Sequence, residues 1–210
     1  MPVHSDFPSP QPIQFRGSAL ARALLRWIGW RFEFAGLPAL QGVMVVYPHT
    51  SNWDFFIAML LKSAIGMPVQ FWSKDVLFRI PLFGSWLRWV GGVPLRRTAA
   101  HGVVQQMVEL IKQKKNSGEY FWLALTPEGT RRYTAGWRSG FYRVALEADV
   151  PLGVAALDYS RKLLVCREFI RLSGDEARDM QRIAAALEGC RGLRSALAAP
   201  IRLRADGINK

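Results

Sequence analysis

Gly42-Val43-Met44-Val45-Val46-Tyr47-Pro48-His49-Thr50-Ser51-Asn52-Trp53-Asp54 contains the transition on which the fold turns. Its first six residues are a continuous apolar run rich in β-branched side chains, which suits a strand buried on both faces. Pro48 ends that run, since proline brings no N–H to a ladder. An apolar helix follows, predicted from Trp53 to about Ile65, and Met67 to Trp72 reads as a second strand entered at Pro68.

The same alternation continues downstream. Asp75 to Val90 is amphipathic but broken by Pro81 and Gly84, which predicts two short helices or a kinked one. Val93 to Leu95 is a brief strand, and Ala99 to Lys115 has helical spacing through Val103, Met107, Leu110 and Ile111. Its basic end at Lys112, Lys114 and Lys115 complements the helix dipole. Tyr120 to Leu125 is a further buried strand, Gly140 to Ala148 a helix, and Leu152 to Leu157 with Lys162 to Cys166 the last strands. This order predicts an α/β fold: a mixed, mostly parallel sheet flanked by helices, in a single domain with an amino-terminal amphipathic helix. Ligands then belong in loops that follow strand ends.

Residues 1–17, with Pro2, Pro8, Pro10 and Pro12, read as a flexible leader unlike the basic-then-apolar order of a secretory signal. Residues 18–35 form the amphipathic segment. Ser18 can cap it, and Leu20, Leu24, Trp27 and Ile28 share a face opposite Arg22 and Arg26, while Arg31 breaks the pattern. Such a helix either anchors at a membrane interface or packs on the core. Residues 36–210 form the main domain. No stretch reaches the ~20 apolar residues of a spanning helix.

Charge narrows the partners. The 210 residues carry 28 Lys and Arg against 16 Asp and Glu, a formal charge of +12, so an anionic partner is expected. Eight Trp favour a membrane surface over nucleic acid, because indole prefers the boundary between water and acyl chains. Cys166 and Cys190 belong to no metal-binding or disulfide pattern, and neither a metal nor a redox cofactor is expected.

His49 and Asp54 are five apart, about 140° in azimuth on one helix. They can meet only if His49 lies in the strand-to-helix turn and Asp54 in the first helical turn. A His–Asp pair of that kind suits removal of a proton from an alcohol. The alternative is local: Ser51-x-x-Asp54 is also a capping-box-like signature, with His49 a turn residue.

His-x4-Asp at 49–54, Gly91-Gly92-Val93-Pro94-Leu95-Arg96-Arg97, Glu128-Gly129-Thr130-Arg131 and Val150-Pro151-Leu152 together resemble the ordered motifs of the 1-acylglycerol-3-phosphate acyltransferase family. The likeness runs from about Val43 to Arg167. It implies transfer of a fatty acyl group from a thioester, on coenzyme A or acyl carrier protein, to a hydroxyl of a lysophospholipid. By the same resemblance His49 is the general base and Asp54 its partner, and no cofactor or metal is used. Arg97 and Arg131 match arginines suited to gripping the acceptor's phosphate. Glu128 is assigned to acceptor positioning, and Gly129 and Thr130 to the shape of the turn. Lys74, Arg138 and Gly140 are weaker candidates for phosphate or donor contacts.

The implied setting is the cytoplasmic face of the cell membrane, peripheral or monotopic, with an anionic membrane surface and acyl carrier protein as partners and no nucleic acid. Arg96 departs from the pattern, which has an acidic residue there, and leaves room for another acceptor such as an ornithine or sugar lipid. A non-catalytic binder of anionic membrane is the reading from a different class. Trp72, Phe78, Phe83, Trp86 and Trp89 make an aromatic stretch suited to an acyl groove or to core packing.

Overall fold

The computed structural model describes residues 6–7, 11–95 and 100–204. Strand β2 (Gln41–Tyr47) lies at the centre, and its run of β-branched residues is buried along nearly its whole length. It is flanked by β5 (Phe121–Leu125) and β6 (Leu152–Asp158), both parallel to it. With β1 (Arg31–Phe34), β3 (Gln70–Lys74), β4 (Gly92–Leu95) and β7 (Leu163–Ile170) the sheet has seven strands in the order β1-β7-β6-β2-β5-β3-β4. Every neighbouring pair is parallel except β6 and β7. The α/β, mostly parallel expectation is met.

Helices cover both faces, as period-2 burial on a two-sided sheet requires. Val43 and Val45 point towards α4 (Ala100–Asn116), α5 (Gly140–Glu147) and α6 (Glu176–Ala186), where Val108, Ile111, Val144 and Ile183 fill one core. Met44 and Trp122 point the other way, towards α1 (Ala19–Trp27) and α2 (Trp53–Ile65), where Leu25, Leu61 and Phe169 fill the second. The broken amphipathic stretch forms a short 3-10 helix, Asp75–Arg79, and α3 (Phe83–Trp89). No helix among the described residues is long and apolar enough to cross a membrane.

The amino-terminal reading needs correction. The Ser18 hydroxyl does cap α1, accepting from the Ala21 N–H at 3.2 Å, but the helix ends at Trp27. Gly29 then takes a positive φ of 79° and turns the chain. Arg31–Phe34, expected to continue the helix to residue 35, is instead β1, an edge strand paired only with β7. Its short polar-apolar alternation was masked by the helical spacing just before it. The supposed leader is also partly fastened: the Gln11 N–H donates to the Ala35 carbonyl at 3.0 Å, and Ile13 and Leu37 form a bridge. Residues 1–5 and 8–10 of that leader lie outside the described residues.

The orientation of α1 is informative. Ala21 and Leu25 face the core, whereas Leu20 and Trp27 are 70% and 85% exposed and Leu24 is exposed beside them. The helix therefore has two apolar stripes. One packs, and the other, formed by Leu20, Leu24 and Trp27, meets solvent, whereas Ile28, read from sequence as part of the same face, packs against the core just past the helix.

Candidate active site

Because β2, β5 and β6 run in parallel register, the loops after their C-terminal ends gather on one edge of the sheet. The first carries His49, the second Glu128 and the third Tyr159. Pro48 to Asn52 form the turn, and Asp54 sits in the first turn of α2. The chain thus bends back as the pair requires, and the His49 Nδ1 is 3.2 Å from Asp54 Oδ2. The imidazole is partly exposed, while Asp54 is only 3% exposed.

The same Asp54 oxygen accepts from the Thr50 and Ser51 N–H groups at 2.7 and 2.8 Å. The two readings of this aspartate, helix-start acceptor and histidine partner, are therefore both realised on one atom. Burial pushes the Asp54 carboxyl up, but hydrogen bonding from His49 and Ser51, the nearby Tyr159 hydroxyl and hydrogen bonding from Thr50 together outweigh it and hold the group below its ordinary value. The aspartate is ionised at neutral pH. An ionised carboxylate on Nδ1 favours the tautomer with the proton there, which leaves Nε2 as the basic nitrogen.

Glu128 lies in the loop after β5. It is 1% exposed, and its Oε2 accepts the His49 backbone N–H at 2.5 Å while Oε1 accepts the Ala199 N–H at 3.1 Å. Both oxygens accept from main chain, so Glu128 holds the histidine loop in place. Burial raises its pKa, and the bonds from Ala199 and His49 only partly offset that. Gly129 adopts φ of 67°, and a side chain on it would strike the Arg138 guanidinium at 2.7 Å. Thr130 Oγ1 accepts from the Arg132 N–H at 3.3 Å.

Arg131 and Arg138 are exposed in the loop between β5 and α5, with the Arg138 N–H donating to the Pro127 carbonyl at 2.8 Å. Gly140 opens α5 and lies against Val104 of α4. Arg96 and Arg97, beyond the end of β4, fall outside the described residues, as does the side chain of Lys74. Lys62 of α2 donates to the Val90 carbonyl beside the Gly91-Gly92 turn, and burial lowers its pKa.

Sequence reasoning missed two components. One is Tyr159, whose hydroxyl is buried near Asp54. The other is the segment 190–204, which crosses the loops: the Arg194 N–H donates to Thr50 Oγ1 at 3.2 Å, and the Tyr47 hydroxyl donates to the Ala199 carbonyl at 3.0 Å. Gly192 approaches Thr50 so closely that an added Cβ would lie 2.6 Å from its Oγ1. This coil has no periodicity to announce it. Tyr159 follows a fully buried strand and reads as core until the loops are assembled.

An aromatic chain leads away from the pair. Trp53 packs on Phe56, Phe56 on Phe55, and Phe55 on both Phe71 and Trp86, with ring centroids 5.7–6.0 Å apart. Of the aromatic stretch named from sequence, Phe78 is buried in the core while Trp89 is exposed. Among the described residues, no group of three His, Cys, Asp or Glu is arranged to hold a metal ion.

Comparison with known proteins adds three findings. The Acyltransferase family model matches residues 31–156. The 1-acyl-sn-glycerol-3-phosphate acyltransferase BAT2, chloroplastic, of Brassica napus is 25% identical over 126 residues, covering 59% of this chain and 36% of that protein. This chain therefore spans about a third of that relative's length. The crystal structure of the 1-acyl-sn-glycerophosphate (LPA) acyltransferase PlsC from Thermotoga maritima superposes with a TM-score of 0.50 at 19% identity, covering 80% of this chain and 73% of that one. That likeness concerns the fold.

Proposed function

The chain belongs to the Acyltransferase family, and from that premise we propose that it transfers a fatty acyl group from an acyl thioester to the free hydroxyl of a lysophospholipid. The observation that carries this reading is the imidazole held through Nδ1 by a buried, ionised carboxylate, which leaves Nε2 to act as base. Nε2 takes the proton of the acceptor hydroxyl as its oxygen attacks the thioester carbonyl. The tetrahedral intermediate then collapses, the C–S bond breaks, and the imidazolium returns the proton to the departing thiolate. Asp54 remains ionised throughout and stabilises the imidazolium.

Lysophosphatidic acid is the proposed acceptor and phosphatidic acid the product. The names of both relatives support this, as does the run of arginines beside the loops. Arg131 and Arg97 are assigned to the acceptor phosphate, with Lys74, Arg138 and Gly140 as further contacts. The donor is acyl-CoA or acyl carrier protein, its chain running along the aromatics that extend from Trp53 to Trp86. Incubating the protein with an acyl-CoA and a panel of phosphorylated, ornithine and sugar lysolipids, then identifying products by mass spectrometry, tests the reading. The phosphorylated glycerol acceptor is expected to dominate, and Arg131→Ala is expected to weaken it selectively. Equal losses with neutral acceptors would remove Arg131 from the phosphate site.

The outward stripe of α1, with a chain charge of +12, supports attachment to an anionic membrane surface on the cytoplasmic side. Replacing Leu20, Leu24 and Trp27 together by serine is expected to abolish sedimentation with anionic vesicles while leaving the fold intact, because none of the three is core. High salt should weaken binding of the parent. Sedimentation that survives both changes would locate the anchor elsewhere.

A further inference from the structure

One oxygen of the catalytic-loop aspartate is left over. Oδ2 of Asp54 takes three donors, whereas Oδ1 is buried and completes no hydrogen bond of standard geometry. The Tyr159 hydroxyl, also buried, likewise completes none. A buried acceptor and a buried donor left unpaired each carry a desolvation penalty, which their pairing would relieve. These two are close enough to affect one another. Burial first, and then Asp54, push the Tyr159 phenol well above its ordinary value, while the nearby phenol helps to hold Asp54 down.

The ring is fixed from two sides. Trp30, the buried residue just past α1, packs edge-on against it with centroids 5.0 Å apart and planes at 89°. The Tyr159 N–H donates to the Arg191 carbonyl at 2.8 Å, which fastens its backbone to the carboxy-terminal segment. Neither Tyr159 nor that segment lies within the residues matched by the family model.

We propose that Tyr159 is a positioning residue of the acyl-transfer site, its hydroxyl donating to Asp54 Oδ1 and so fixing the carboxylate plane in which Oδ2 meets His49. The inference rests on His49 acting as base and deepens that reading. Around the pair, the ionisable groups that bear on Asp54 are His49, Tyr159 and, through its charge, Glu128. The Asp158 carboxylate next to Tyr159 is occupied by Ser160 and Arg161.

The test compares the parent with Tyr159→Phe, Asp54→Asn, the double variant and His49→Ala, using one acyl-CoA and one lysolipid acceptor across pH. Tyr159→Phe is expected to lower kcat about two- to tenfold, the worth of one hydrogen bond, with KM unchanged. The acidic limb of its kcat profile should move to higher pH, because a carboxylate with one donor fewer pulls harder on the imidazolium. The same upward shift should be seen in a His49 titration by NMR on the folded variant, a readout independent of turnover. In the Asp54→Asn background the phenylalanine should add nothing.

A parental kcat and pH profile in Tyr159→Phe, with His49→Ala inactive, would overturn the role of Tyr159 alone. So would an equal further loss in the Asp54→Asn background, which would mark the ring as packing only. Parental transfer by His49→Ala would overturn the base assignment and this inference with it.

Discussion

His49→Ala is expected to lower acyl transfer about 10²–10⁴-fold, the usual worth of a positioned general base, without lowering the melting temperature appreciably. The separation follows from which atoms the fold uses. The His49 backbone N–H, which Glu128 holds, survives in alanine. The side chain is partly exposed, and its recorded hydrogen bond is to Asp54, whose Oδ2 retains the Thr50 and Ser51 amides. Steady-state transfer and a thermal melt on the same preparation check both halves. A variant that melts like the parent and transfers at the parental rate would refute the base.

Glu128→Ala should fail in the opposite manner, through the scaffold. It strips acceptors from two N–H groups, the part-buried one of His49 and the buried one of Ala199, at about 1–3 kcal/mol each. A destabilisation of about 2–6 kcal/mol should accompany a loss of transfer, since the loop that aims the imidazole is freed. Denaturant unfolding and kinetics below the transition measure the two effects. Glu128→Gln removes the charge and one acceptor together, since its single carbonyl oxygen can serve only one of the two donors well.

The pH dependence has a definite sign. Because the Glu128 pKa in the fold lies above its ordinary 4.5, its contribution is complete below that value and is lost as pH rises through the raised pKa. The stability advantage of the parent over Glu128→Gln should therefore shrink with rising pH. An advantage that grew instead would mean that the amides, not burial, dominate this carboxyl. Asp54 acts oppositely, its pKa being lowered from 3.8: its contribution is present above that value and lost in acid.

Much of this architecture was legible from residue patterns, and the reasons are specific. The β2 run and the Trp53–Ile65 helix declare themselves because one is uniformly apolar and β-branched and the other ends at a left-handed Gly66. The turn between them brings His49 to Asp54 by local geometry alone. What stayed hidden depends on distant partners. Edge strand β1 has four residues and one neighbour. Helix α6 buries only Asp179, Met180 and Ile183, a stripe with two apolar members. The inward turn of Glu128 could not be read at all, because its acceptance of the Ala199 amide joins residues 71 apart.

The carboxy-terminal segment engages the loops through its main chain and through the side chains of Cys190, Arg202 and Arg204, whose bonds reach the carbonyls of Tyr47, Ala135, Gly136 and Glu128. The Arg191 carbonyl, the Arg194 amide, both polar groups of Ala199, the Arg202 carbonyl and the Arg204 amide make the bonds to Tyr159, Thr50, Glu128, Tyr47 and Trp137. Such a strap is sensitive to its length as well as to the side chains of Arg202 and Arg204 and to the bare Cα of Gly192. A single inserted or deleted residue would slide every later contact out of step, main-chain and side-chain bonds together.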